Sequence, residues 1–120
     1  MTNRKSDDFF EITPADMAAA EISGYDFKDG FGMITISCQY NGGGGVHVFL
    51  NGRMKLYVTH EPKNLKVKAG DIIMVRGADL EGTAEVTVSE VIGKIDASRQ
   101  GTAVTVGNQA RRLIKIEKAL

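Results

Sequence analysis

The stretch that decides the fold is VHVFLNGRMKLYV, residues 46–58, in which apolar and polar side chains alternate on both sides of an Asn51-Gly52 pair. Alternation with a period of two is typical of a β-strand with one buried side, and Asn-Gly favours a type I′ turn between two such strands. One side of the predicted hairpin faces a core with Val46, Val48, Leu50, Met54, Leu56 and Val58. The opposite side carries His47, Phe49, Arg53, Lys55, Tyr57 and Thr59.

The same period extends outward along the chain. Residues 32–40 alternate, so we expect a strand there and a three-stranded meander with the hairpin. Residues 61–71 are polar and predict a connection, followed by strands at 72–76 and 84–95. The tail leaves two interpretations open, because residues 102–106 and 111–118 fit either a hairpin around Gly107-Asn108 or a strand followed by a short helix. The remaining predicted core residues are Ile34, Ile36, Cys38, Ile73, Val75, Val86 and Val88.

The amino-terminal region carries a different signal. Residues 1–9 are mostly polar and charged, and we expect a flexible acidic arm over residues 1–12. Residues 13–23 predict a helix, since Thr13 can cap it, Pro14 fits its first position and Gly24 ends it. This helix is expected to pack on the sheet as part of a single domain spanning residues 13–120.

The strand order resembles that of OB-fold nucleic-acid-binding domains. Residues 65–95, LKVKAGDIIMVRGADLEGTAEVTVSEVIGKI, are similar to the fourth and fifth strands of that family, and residues 46–58 are similar to its second and third. The resemblance covers residues 31–95. It implies a mainly β, small five-stranded Greek-key barrel, with the amino-terminal helix and a carboxy-terminal extension added. Because the connection at 61–70 is short, an SH3-like or other small barrel stays open.

Composition bounds the class of protein. The chain has 120 residues, 42% of them hydrophobic, and a formal net charge of zero, which fits one soluble globular domain. The charge is unevenly distributed: residues 1–52 hold three basic and seven acidic residues, whereas residues 53–120 hold twelve and eight, a net of +4. A single cysteine excludes an internal disulfide. With no apolar run of bilayer length and no signal peptide, we expect a cytoplasmic protein without a membrane partner.

The outward side of the hairpin combines rings with positive charges. Bases stack on aromatic side chains while Lys and Arg contact phosphates, and the resemblance implies binding on the second and third strands. The candidate nucleic-acid-binding residues are His47, Phe49, Arg53, Lys55, Tyr57, Arg76 and Lys94. The same aromatic residues also fit a surface covered by the amino-terminal helix or by a second subunit, or one that binds an oligosaccharide.

Catalytic and metal-binding motifs are not found. Cys38 lies on the inward side of its strand, where a thiol behaves as a small apolar group. His47 and His60 are thirteen residues apart with no cysteine or aspartate at ligand spacing. We therefore expect no enzyme, no cofactor and no metal site.

These observations lead to one functional expectation and one alternative. The expectation is non-catalytic binding of single-stranded nucleic acid, DNA in preference to RNA, by a homo-oligomer such as a viral or plasmid accessory protein. The alternative is an oligomeric assembly component, of a viral particle or a multi-subunit complex, that uses the same face as a subunit interface.

Overall fold

The computed structural model describes residues 27–119, which form eight β-strands and one short 3-10 turn. The strands are β1 (Phe31–Gln39), β2 (Gly45–Leu50), β3 (Arg53–Val58), β4 (Lys63–Lys68), β5 (Ile72–Ala78), β6 (Ala84–Gly93), β7 (Ala103–Val106) and β8 (Arg111–Lys115). The predicted acidic arm, 1–12, and the predicted helix, 13–23, lie outside the described residues. Residues 27–119 contain no helix with the length and apolarity of a membrane span.

The strands form two antiparallel sheets, not the single five-stranded barrel that the OB-fold resemblance implied. The first sheet has the order β4-β1-β6-β7 and the second has the order β3-β2-β5-β8. Apolar side chains from both sheets meet in one core, centred on fully buried residues such as Ile34, Ile36, Val48, Val75 and Val88. The expected OB-like barrel is therefore wrong, and the described residues have the architecture of a β-sandwich.

The β2–β3 hairpin confirms the prediction from residues 46–58. Asn51 and Gly52 have φ angles of 52° and 87°, as a type I′ turn requires. The Asn51 side chain fixes the turn to β5, because its Oδ1 accepts a hydrogen bond from the backbone N–H of Ile72 at 2.9 Å. The hairpin and the third strand of its sheet are thus held in one geometry.

The predicted meander is wrong because β1 does not pair with β2. β1 lies between β4 and β6 in the first sheet, and the glycine-rich residues 41–44 carry the chain across to the second sheet. Gly42 and Gly44 have φ angles of 82° and 87°, a region that suits glycine and disfavours other residues. The four glycines therefore connect two sheets instead of two neighbouring strands.

Three further segments correct the strand count. The predicted connection at 61–71 contains β4, in which Leu65 and Val67 face the core while Lys66 lies opposite Met33 of β1. The tail contains β7 in the first sheet and β8 in the second, so it is neither a hairpin around Gly107-Asn108 nor a helix. A smaller apolar cluster of Phe27, Met33 and Ile92 lies on the outer side of the first sheet.

Candidate nucleic-acid interface

The outer face of the second sheet is built from side chains that alternate with the buried ones. Val46, Val48 and Val75 are fully buried, so the residues between them point away from the core. The strand register aligns these residues in two rows, Tyr57–His47–Arg76 and Met54–Phe49–Met74–Arg112. A third pair on the same side is Ile72 with Lys115. We call these nine residues the outer face.

Three rings form a continuous group on β2 and β3. His47 lies 5.1 Å from Tyr57, centroid to centroid, at an interplanar angle of 47°. The same imidazole meets Phe49 at 6.4 Å and 65°. Tilted and edge-on arrangements at these distances are favourable for aromatic pairs. The Nδ1 atom of His47 is buried and makes no hydrogen bond, so a polar contact of this ring with a ligand must use Nε2.

Gly45 determines where the Tyr57 ring lies. A Cβ atom at position 45 would approach Tyr57 Cζ to 2.7 Å and the Val58 carbonyl oxygen to 2.9 Å. Any larger residue would therefore displace the ring or the neighbouring strand. The tyrosine nevertheless stays 45% exposed, so much of its surface is accessible to a ligand.

Arg76 joins the aromatic group to the cationic half of the outer face. Its guanidinium carbon lies 5.1 Å from the centroid of the Phe49 ring, within the range of a cation–π contact. The residue is exposed, so its donors remain available to an anion. Arg112 of β8 is also exposed and lies opposite Met74. Rings on β2 and β3 thus lie beside arginines on β5 and β8.

The strands of the second sheet carry positive charge alone. They contain six basic residues, Arg53, Lys55, Arg76, Arg111, Arg112 and Lys115, and no Asp or Glu. The strands of the first sheet contain three lysines in β4 and two glutamates in β6, a net of +1. The neutral total of the chain therefore conceals one strongly cationic sheet.

A β-bulge gives Arg53, Met54 and Lys55 of β3 different positions from those that simple alternation predicts. Val48 pairs with Leu56 but Phe49 pairs with Met54, so Lys55 is the inserted residue. Met54 consequently lies on the outer face and is 57% exposed, and its expected place in the core is wrong. Arg53 pairs with Leu50, which packs against the core, and so lies on the opposite side of the sheet from Phe49.

Lys94 is not part of the outer face. It follows β6, and its backbone N–H donates to the carbonyl oxygen of Phe31 in β1 at 2.8 Å, which places it beside the first sheet. Of the seven candidate residues, the structure brings together His47, Phe49, Tyr57 and Arg76. Lys55 is half-buried at the bulge, and Arg53 and Lys94 lie elsewhere.

Five residues of the outer face were not among the candidates: Met54, Ile72, Met74, Arg112 and Lys115. Met74 lies two residues before Arg76 in β5, so the alternation of this strand predicts that both side chains point to the same side. Arg112 could not be assigned from parity, because β8 has an irregularity opposite Ile73 and Met74 that changes the alternation. The adjacent residues Leu113 and Ile114 are both buried and give the segment no clear period.

Burial affects the chemistry of two side chains, Cys38 and Tyr40. Burial raises the pKa of the Cys38 thiol to about 11, which keeps it protonated at neutral pH. Tyr40, whose pKa burial also raises, donates its hydroxyl to the carbonyl oxygen of Gly44 at 2.7 Å. Within residues 27–119, no group of three or more His, Cys, Asp or Glu side chains could hold a metal ion.

Comparison with known proteins gives no relative on which to base a function. No family model matches the chain, no curated protein matches its sequence, and no solved structure matches its fold. What the protein does must therefore be inferred from the outer face itself.

Proposed function

We propose that the outer face of the second sheet binds single-stranded nucleic acid without catalysis. The observation that supports this proposal is the division of the face into two halves, with rings on β2 and β3 and cations on β5 and β8. Bases can stack on Tyr57 and Phe49 while phosphates contact Arg76 and Arg112. Stacking on an aromatic side chain contributes about 1–3 kcal/mol per base, and arginine matches phosphate with paired hydrogen bonds.

The charge of the sheet supports the same ligand class. Phosphate neutralisation supplies most of the sequence-independent affinity for nucleic acid. Three cations, Arg76, Arg112 and Lys115, lie on the face, and its four strands contain no Asp or Glu, so an approaching polyanion meets no repulsion from these strands. The zero net charge of the chain does not oppose binding, because the charges near the ligand determine local affinity.

Self-association through the same face is the second candidate. Met54 and Tyr57 are exposed and lie on β3, an edge strand, which is a feature of subunit contacts. A two-fold interface would, however, place each patch against its own copy. Such a contact would also bury Arg76, Arg112 and Lys115 of each copy without an acidic residue on the face to pair with them, which costs free energy. Sedimentation velocity with and without oligo-dT distinguishes the two functions, since an oligomer that does not bind the oligonucleotide would favour self-association.

The proposal is tested by fluorescence anisotropy with labelled oligo-dT and oligo-U at about 50 mM salt. The test variant is Phe49→Ala, and the matched control is Phe31→Ala, because Phe31 is an exposed phenylalanine in the first sheet. Loss of one stacking ring should weaken binding about 5- to 150-fold, whereas the control should bind like the wild type. Equal effects of both substitutions, or no binding of either oligonucleotide at tens of micromolar wild-type protein, would refute the proposal.

A further inference from the structure

Residues 1–26, which precede the described part of the chain, carry a net negative charge, whereas the outer face of the second sheet is positively charged. Residues 1–26 contain six acidic residues and two basic ones, a net of −4. Their densest part is DDFFE, residues 7–11, in which three carboxylates flank two phenylalanines. The outer face of the second sheet carries three cations, Arg76, Arg112 and Lys115, and no carboxylate. The two parts of the chain are thus complementary in charge.

The DDFFE segment has the two chemical features that the outer face would recognise in a nucleic acid. Its carboxylates can form paired hydrogen bonds with Arg76 and Arg112, as phosphate oxygens would. Its rings, Phe9 and Phe10, can pack against Phe49 and Tyr57, as bases would. A segment with only negative charge would satisfy one half of the face, whereas this one fits both.

The chain is long enough for the contact. Phe27 packs with Met33 and Ile92 on the outer side of the first sheet, so the preceding residues start there. Glu11 and Phe27 are sixteen positions apart, and at about 3.3 Å per residue the chain between them can span about 50 Å. Packed sheets lie about 10 Å apart, so this length suffices to pass around one edge of the sandwich.

We propose that residues 7–11 bind the outer face of the second sheet in the same chain and compete there with single-stranded nucleic acid. The competition rests on the proposed function, whereas the docking of the segment does not. A short tether gives an effective concentration in the millimolar range, so even a weak contact lowers the apparent affinity for an external ligand. Nucleic acid must displace the segment before it reaches Phe49 and Arg76.

Oligonucleotide affinity provides the first test. The full chain with Asp7→Asn, Asp8→Asn and Glu11→Gln should bind oligo-dT about 3- to 10-fold more tightly than the wild type, because a weak tethered competitor is lost. The control, Glu81→Gln with Glu85→Gln and Glu90→Gln, makes the same change in net charge away from the outer face. A second variant, Phe9→Ala with Phe10→Ala, should also tighten binding although it alters no charge. Equal tightening by the control, with no effect of the phenylalanine variant, would overturn the competition.

Methionine methyl NMR provides the second test and needs no nucleic acid. Met54 and Met74 lie on the outer face, whereas Met33 lies on the first sheet. The triple carboxylate variant should shift the methyl signals of Met54 and Met74 and leave that of Met33 in place. If these shifts are seen but the protein binds no oligonucleotide, the proposed function is refuted and the docking of residues 7–11 is still supported. Unchanged Met54 and Met74 signals, or a shift of Met33 alone, would overturn the docking itself.

Discussion

Asp71 shows how single polar residues hold the outer face in place. Its carboxylate is 3% exposed and accepts hydrogen bonds from the Asn51 side chain at 2.9 Å and from the Lys68 backbone N–H at 2.8 Å. The Lys68 ammonium adds an ion pair at 3.0 Å. One buried carboxylate therefore joins the β2–β3 turn to the turn before β5. Hydrogen bonds to a charged group contribute about 1.5–3 kcal/mol each, so the two turns are firmly linked.

The buried thiol gives a prediction at the same scale. The pKa of Cys38 rises from 9.0 to about 11 because burial disfavours the thiolate. At pH 8 the folded protein should therefore react with iodoacetamide about 100-fold more slowly than the chain unfolded in urea, since only the thiolate reacts. The unfolded thiol ionises first as the pH rises, so this group should lower the stability of the folded state between pH 9 and 11. Similar alkylation rates in the two states would contradict the assigned burial.

Parity alone was sufficient for part of the candidate site. The alternation of residues 46–50 predicts that His47 and Phe49 point away from the core while Val48 is buried. The strand register and the burial of Val48 agree with this prediction. The alternation could not predict the side of the sheet on which Arg53 and Met54 lie, because the inserted residue reverses it from that point on. No residue type in this segment identifies the bulge in advance. Lys94 was assigned by its expected strand, and that strand proved to belong to the other sheet.

At the scale of elements, the sequence predicts strands better than it predicts their partners. The hairpin is local and its turn is encoded by two residues, so β2 and β3 were recognised together. The pairing of β1 with β4 and β6 depends on contacts between distant residues, such as Ile34 with Leu65 and Val91. A linker of four glycines leaves the direction of the chain open, so the sandwich could not be distinguished from a barrel.

The bulge in β3 can be tested by stability. Met54 is exposed on the outer face, so Met54→Ala should change the free energy of unfolding by less than about 0.5 kcal/mol. Ile73→Ala, which empties a fully buried site in β5, should cost about 2–5 kcal/mol. Urea denaturation of both variants measures the difference. A comparable loss of unfolding free energy for Met54→Ala would show that Met54 lies in the core and that β3 has no bulge.

At the scale of the whole molecule, the separation of charge is the main feature. The chain is neutral, yet its second sheet holds six positive charges on its strands and its first sheet a net of one. Charges more than about 8–10 Å apart are largely screened at physiological salt. The outer face therefore presents a cationic surface to a ligand even though the whole chain has no net charge.

This separation predicts a definite salt dependence. If Arg76, Arg112 and Lys115 each neutralise one phosphate, the logarithm of the binding constant should fall against the logarithm of salt concentration with a slope of about −2. Arg76→Gln and Arg112→Gln should each reduce the slope by about 0.7. Lys94→Gln is the matched control beside the first sheet. Titrations with oligo-dT over a range of salt concentrations give the slopes. An equal reduction of the slope by Lys94→Gln would contradict a phosphate contact confined to the second sheet.

The central claim, that nucleic acid binds the outer face of the second sheet, is tested most directly by the methionines already present. The chain labelled at its methionine methyl groups is titrated with an oligo-dT of about ten nucleotides, and each signal is assigned by a Met→Leu substitution. We predict a saturable shift of the Met54 and Met74 signals with no change for Met33, which lies on the opposite sheet. A saturable shift of Met33 without Met54 and Met74, or no shift in any of the three at tens of micromolar protein, would contradict the claim.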